Sequence, residues 1–201
     1  MSNTLLVAGR RPEDTSPSVY DMDEVENKSI HTRTFRVLRC DSPPDLLDLV
    51  ASEVRARGKL DILDLYDHGN IGGMLMGDDV LFATDSDVAS SLVNEDLARG
   101  LREFLSETAH VRLLGCSTSA ANGPSLEARL LLLKLADALG GHRMAFGTIT
   151  PIQTSDFGHF GFRRDVEIVK LFSSAAALDS EPPLPEGRGR NIDITRLRAR
   201  G

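Results

Sequence analysis

The spacing of apolar and polar residues divides the chain into alternating strand-like and helix-like segments. Short apolar or alternating runs predict strands at residues 4–9, 32–40, 60–67, 110–116, 142–150 and 166–172. Apolar residues at helical spacing predict helices over residues 42–58, 94–107 and 122–141. Strands that alternate with helices are typical of an α/β fold. We therefore expect a mostly parallel sheet of about six strands with helices on both faces.

The remaining segments predict a hairpin, a loop and a tail. GGMLMGDDVLF, residues 72–82, has the pattern of a small hairpin with Gly77, Asp78 and Asp79 at its turn. The polar stretch at about residues 10–30 is expected to be a mobile loop. We assign residues 1–178 to one domain and the Pro-, Gly- and Arg-rich residues 179–201 to a tail, with at most a short docked segment around Ile192 to Leu197.

Composition and charge exclude several classes of function. The chain has 201 residues, 41% of them hydrophobic, and a formal net charge of -7. That charge argues against nucleic acid as the main partner, because neutralising phosphates requires a dense basic face. No stretch reaches the roughly 18 apolar residues of a membrane-spanning helix, and the N-terminus lacks the apolar run of a signal peptide. We expect a cytoplasmic protein that does not bind a membrane.

Two candidate reactive side chains follow predicted strands directly. His68 ends the apolar run LDLYD, and Cys116 ends the run VRLLG. Ligands of parallel α/β sheets bind at the carboxyl ends of strands, and a right-handed crossover makes these two strands plausible neighbours. Their ends would then lie roughly 5 Å apart. The sequence therefore predicts that the imidazole and the thiol face each other.

This pairing has a chemical use. A thiol with an ordinary pKa is mostly protonated at neutral pH, and a neighbouring histidine makes it a competent nucleophile. The backbone N–H groups of Gly69 and Cys116 are candidates for an oxyanion hole. The alternative interpretation is purely structural: Cys116 packs as a small buried residue, and His68 caps a strand. For the second cysteine, Cys40, packing is the expected role, and a disulfide with Cys116 stays open.

The two motifs together resemble a known family. LDLYDHGNIGGMLMGDDVLF and VRLLGCSTSAANGPSLEARLLLLKLADALGG are similar to the caspase-like cysteine peptidases, and closest among them to the bacterial CHAT-like domains and related uncharacterised caspase-like domains. The resemblance covers roughly residues 34 to 150. It implies a three-layer caspase-like sandwich and a His-Cys dyad that cleaves peptide bonds through an acyl-enzyme. We expect no cofactor and no metal. Carried over, His68 is the general acid/base, Cys116 the nucleophile, and Gly69 an oxyanion-hole donor.

The resemblance also bears on the substrate. Caspases carry Gln-Ala-Cys-x-Gly and many metacaspases Asp-x-Cys, whereas this chain has Leu-Gly-Cys-Ser-Thr, so neither specificity transfers. Many non-caspase members use an acidic group to select Arg or Lys before the cleaved bond. Asp67, Asp156 and Asp165 are the candidates for that group. The expected partner is a protein or peptide substrate, with a homodimer or a regulatory protein as further options.

Other interpretations remain beside this one. The position six residues after Cys116 is Asn122, where a cysteine phosphatase needs Arg, and no Gly-Lys-Ser/Thr phosphate loop follows GNIGG. Acidic residues at 78, 79, 85 and 87 would suit calcium, although acidic turns are usually only solvated. The main alternative function is a catalytically inactive caspase-like module used for protein binding or scaffolding.

Overall fold

A computed structural model describes most of the chain. It covers residues 3–10, 22–32, 35–70, 72–84, 91–116, 118, 126–148, 152–158, 161–162, 168–172 and 191–193. In chain order the elements are β1 (Thr4–Gly9), α1 (Met22–Thr32), β2 (Arg36–Cys40), α2 (Pro43–Arg57), β3 (Leu60–Tyr66), β4 (Gly69–Asn70), β5 (Gly73–Met76), β6 (Asp79–Ala83), α3 (Glu95–Leu101), β7 (Leu105–Leu114), α4 (Leu126–Leu139), β8 (Met144–Thr148), β9 (Phe157–Gly158), β10 (Gly161–Phe162), β11 (Ile168–Phe172) and β12 (Asn191–Asp193). Turns of 3₁₀ helix lie at Arg102–Phe104 and Thr154–Asp156.

The main sheet confirms the expected α/β class and its mostly parallel character. Its strand order in the described part of the chain is β12-β11-β8-β7-β3-β1-β2. The strands β8, β7, β3, β1 and β2 run parallel to their neighbours, whereas β11 pairs antiparallel with β8. The parallel part therefore has five strands instead of the expected six or so. The antiparallel β11 and the short β12 extend it on one side.

Both faces of the sheet are covered. Alternate strand residues such as Leu5, Leu63 and Val111 pack against α2, α3 and α4 in one buried cluster. The opposite set, which includes Leu6, Tyr66 and Leu114, packs with Val25 of α1 and with the segment from Ile152 to Phe162 in a second cluster. Because side chains alternate along a strand, a single register places one set on each face.

Helix α2 forms where the sequence predicts it. Pro43 lies in its first turn, where a missing N–H costs no helical hydrogen bond. Leu46 and Val50 are fully buried one turn apart. The helix ends at Gly58, which has a φ of 88° that favours glycine.

The expectation of a loop over residues 10–30 is wrong for its second half, which is the helix α1. Among the side chains of α1 that the structure describes, Val25 is fully buried and Ile30 is exposed, so the helix does not bury a continuous apolar stripe there. Polar contacts hold it instead. Ser29 Oγ donates to Phe35 O at 2.7 Å, and Glu26 pairs with Arg39. Residues 11–21 lie outside the described part.

The helix predicted over residues 94–107 is also too long. Helix α3 ends at Leu101, and β7 begins at Leu105, which is fully buried and pairs with Leu60 of β3. Pairing with a buried neighbouring strand outweighs the helical preference of Leu and Glu in this segment. Strand β7 is therefore the longest in the described structure.

The hairpin at residues 72–82 is confirmed as β5 and β6, and Gly77 at its turn has a φ of 63°. Strand β4 adds a third strand that the sequence does not indicate. In the tail, Ile192 lies in β12, which pairs with β11, whereas Leu197 is outside the described residues. No helix within the described ranges is long and apolar enough to cross a membrane.

Candidate functional site

His68 and Cys116 follow two neighbouring parallel strands, as expected. Strands β3 and β7 are paired in the sheet, and the last pair in their register is Tyr66 with Leu114. His68 and Cys116 each lie two residues beyond that pair. Both side chains are half-buried. The sheet therefore brings the two candidate dyad residues to the same edge of adjacent strands.

The two segments that carry these residues touch through glycines. A Cβ atom added to Gly69 would lie 2.9 Å from Gly115 Cα, and one added to Gly115 would lie 2.9 Å from Gly69 Cα and 3.1 Å from Gly69 N. Real Cβ atoms do not approach backbone so closely, so only glycine fits at both positions. Because Gly69 follows His68 and Gly115 precedes Cys116, this contact holds the two loops together beside the candidate dyad.

The backbone of His68 is fixed on both sides. Its N–H donates to Asp67 Oδ1 at 2.5 Å, and its carbonyl accepts the N–H of Leu75 at 2.9 Å. Because His68 O and Leu75 N form this hydrogen bond, Gly69 and Met74 are a non-hydrogen-bonded pair of the antiparallel ladder between β4 and β5. The Gly69 N–H is thus directed away from β5.

Two buried threonines hold the loop that carries Cys116. Thr148 Oγ1 donates to Gly115 O. Thr118 Oγ1 accepts the Thr148 N–H at 3.0 Å and donates to Leu113 O at 3.1 Å. Both threonine side chains are fully buried. Sequence reasoning missed this pair, because Thr148 comes from a strand that only the sheet order places beside β7.

Tyr66 is a further residue near the candidate site that the sequence did not indicate. Its ring is fully buried and packs edge-on against Phe157, with ring centroids 5.0 Å apart. Burial raises the pKa of the Tyr66 phenol, and the charges of Cys116, Asp156 and Asp67 raise that pKa further.

The three acidic candidates for substrate selection have different surroundings. Asp156 is half-exposed on a 3₁₀ turn, and its Oδ2 accepts the Gln153 N–H at 2.8 Å. Asp67 is buried, and its second oxygen, Oδ2, accepts the Gly77 N–H at 2.6 Å. Asp165 lies outside the described residues. Of the two described residues, Asp156 is the less buried.

The second thiol, Cys40, lies in a different environment. It is buried, and its Sγ donates to Ser42 O at 3.0 Å. Burial raises the pKa of Cys40 to about 11. No disulfide joins it to Cys116. Cys40 is thus a packed thiol that stays protonated near neutral pH.

Searches for a metal centre and for related proteins both gave no match. Within the described ranges, no group of three or more His, Cys, Asp or Glu side chains is arranged to hold a metal ion, and Asp85 and Asp87 fall outside those ranges. No protein-family model matches the chain, and no curated protein or solved structure matches it either. What the site can do must follow from its own geometry and chemistry.

Proposed function

We propose that the chain is a caspase-like cysteine peptidase in which His68 and Cys116 form the catalytic dyad. One observation carries the proposal. The two residues follow adjacent parallel strands, and their loops meet at the contact of Gly69 with Gly115. A histidine and a thiol held in this way can form the activated pair that nucleophilic catalysis needs. A thiol nucleophile also suits the cytoplasm, where cysteines stay reduced.

The reaction proceeds in two steps. His68 accepts the Cys116 proton, and the thiolate attacks the carbonyl carbon of a peptide bond. The N–H groups of Gly69 and Cys116 stabilise the oxyanion of the tetrahedral intermediate. His68 then donates its proton to the leaving amine as the C–N bond breaks, which leaves an acyl-enzyme on sulfur. Water, deprotonated by His68, attacks the thioester and releases the new carboxyl group and the thiol.

The proposed substrate is a protein or peptide cleaved after a basic residue. Asp156 supports this choice, because it is only half-buried and precedes Phe157, whose ring packs against Tyr66 at the end of β3. An Arg or Lys side chain placed before the scissile bond would pair with that carboxylate. Asp67 is less suited to this role, because both of its oxygens already accept backbone N–H groups.

A peptidyl acyloxymethyl ketone with Arg next to the reactive group tests the proposal. It should label Cys116 of the wild type, as read by peptide mass, and fail to label His68→Ala. A matched probe with norleucine in place of Arg should label more slowly. Asp156→Asn should reduce the preference for Arg about tenfold, the equivalent of about 1.4 kcal/mol.

Two other outcomes would count against the proposal. Equal labelling of Cys40 and Cys116 would show that Cys116 is not activated. Labelling of Cys116 that does not depend on His68 would remove the dyad. Either result would favour the binding or scaffolding module, whose partner would then be sought by direct interaction assays.

A further inference from the structure

The carboxylate of Asp67 joins three parts of the structure at one buried point. Its oxygens accept the N–H of His68 at 2.5 Å and the N–H of Gly77 at 2.6 Å. Gly77 is the turn of the hairpin formed by β5 and β6. Strand β1 closes the third side, because a Cβ atom added to Gly9 would overlap Asp67 Oδ2. The Asp67 carboxylate is therefore closely enclosed by the backbone of His68, Gly77 and Gly9.

These contacts leave the Asp67 carboxylate a narrow range of positions. The side chain is only 6% exposed, so water cannot replace the two N–H donors without opening the structure. Hydrogen bonds from backbone N–H groups to a charged oxygen are shorter and stronger than those to a neutral one. The ionised form of Asp67 thus restrains the backbone at His68 in a way that a neutral side chain of the same shape does not.

We infer that Asp67 is a positioning residue for the proposed dyad, which fixes the backbone of His68 and so restrains the position of its imidazole relative to Cys116. The inference rests on the proposed function. It gives Asp67 a role other than the substrate selection expected from the sequence. It also explains why the hairpin is attached at this point, since Gly77 holds the other oxygen of the same carboxylate.

Asp67→Asn is the direct test. A carboxamide has one acceptor oxygen, so one of the two N–H groups would face an NH₂ donor instead. We expect the rate constant for Cys116 alkylation by iodoacetamide at neutral pH to fall about tenfold or more, since small misplacements in an active site cost that much. The pH midpoint of the reaction should move toward that of His68→Ala, a change that loss of stability alone would not produce.

Asp61→Asn is the matched control. Asp61 lies near the start of β3, the strand that Asp67 directly follows, and its Oδ2 accepts the Asn3 N–H at 2.9 Å. A carboxamide oxygen can keep that single bond, so the alkylation profile should match the wild type. A second variant, Gly9→Ala, keeps the aspartate at position 67, but its added Cβ atom would overlap the space that the Asp67 carboxylate occupies. It should reduce Cys116 reactivity in the same direction.

The outcomes separate this inference from the function beneath it. If His68→Ala slows alkylation and Asp67→Asn does not, the dyad stands and the positioning role is overturned. If the wild-type Cys116 reacts as slowly as Cys40, the proposed dyad and the positioning role of Asp67 are both overturned. If Asp67→Asn and Gly9→Ala lose reactivity only by unfolding, as read by circular dichroism, Asp67 serves the fold alone and the inference is again overturned.

Discussion

At the scale of single residues, the two cysteines show how surroundings set thiol chemistry. Cys40 is buried beside the start of α2, and this burial disfavours the charged form of its thiol. Cys116 is half-buried at a strand end beside the loop that carries His68. The sequence predicts this division of roles, because only one of the two cysteines has a His-Gly motif at the matching strand end.

The raised pKa of Cys40 predicts a loss of stability in alkaline solution. The folded-state pKa is about 11 against an ordinary value of 9.0, so the unfolded chain releases this proton first as the pH rises. The contribution is fully present below about pH 9 and is lost progressively up to about pH 11. Urea unfolding across that window should show a steeper decline for the wild type than for Cys40→Ala. Parallel declines in the two proteins would contradict the assignment.

At the scale of elements, a buried ion pair joins the two strands that precede the proposed dyad residues. Arg112 of β7 donates from Nε and Nη2 to the two oxygens of Asp64 on β3, at 2.5 and 2.6 Å. Both side chains are buried, and the guanidinium lies 5.4 Å from the ring centre of Phe162. The pair therefore sets the register of β3 against β7 four residues before His68 and Cys116.

Removal of either partner should destabilise the fold strongly. Arg112→Met or Asp64→Asn leaves a buried group without its partner, and we expect a loss of about 3–5 kcal/mol in the free energy of unfolding. The double variant Asp64→Leu with Arg112→Met should recover much of that loss, because it removes both buried charges. Chemical unfolding measures all three.

A second two-point ion pair offers the matched control. Arg10 also contacts both oxygens of Asp41, but both side chains are more than half exposed. Arg10→Met should change stability little, because solvent screens an exposed pair. A loss at Arg112 as small as that at Arg10 would contradict the structural role of the buried pair.

The elements that the sequence failed to predict share a physical cause. Helix α1 is stabilised by Val25 and by tertiary polar contacts from Ser29 and Glu26, none of which gives an apolar period along the chain. The first residues of β7 have helical preference and become a strand because Leu60 of β3 pairs with Leu105. Local pattern fails where contacts with distant residues decide the conformation.

At the scale of the whole molecule, topology assembles the site. Between β3 and β7 the chain forms a hairpin and α3, yet the two strands are sheet neighbours with their carboxyl ends side by side. The preference for right-handed crossovers made this predictable from sequence. The contributions of Tyr66, Thr118 and Thr148 were not predictable, because each depends on packing between strands and loops that are far apart in the chain.

The most direct test of the account is the pH dependence of Cys116 alkylation by iodoacetamide, in wild type and in His68→Ala, with Cys40 as internal control. We expect wild-type Cys116 to stay reactive well below pH 8 and His68→Ala to lose this reactivity, because the imidazole would stabilise the thiolate. Cys40 should react slowly in both proteins. Slow alkylation of Cys116 at the Cys40 rate in both proteins would contradict the dyad and with it the proposed peptidase activity.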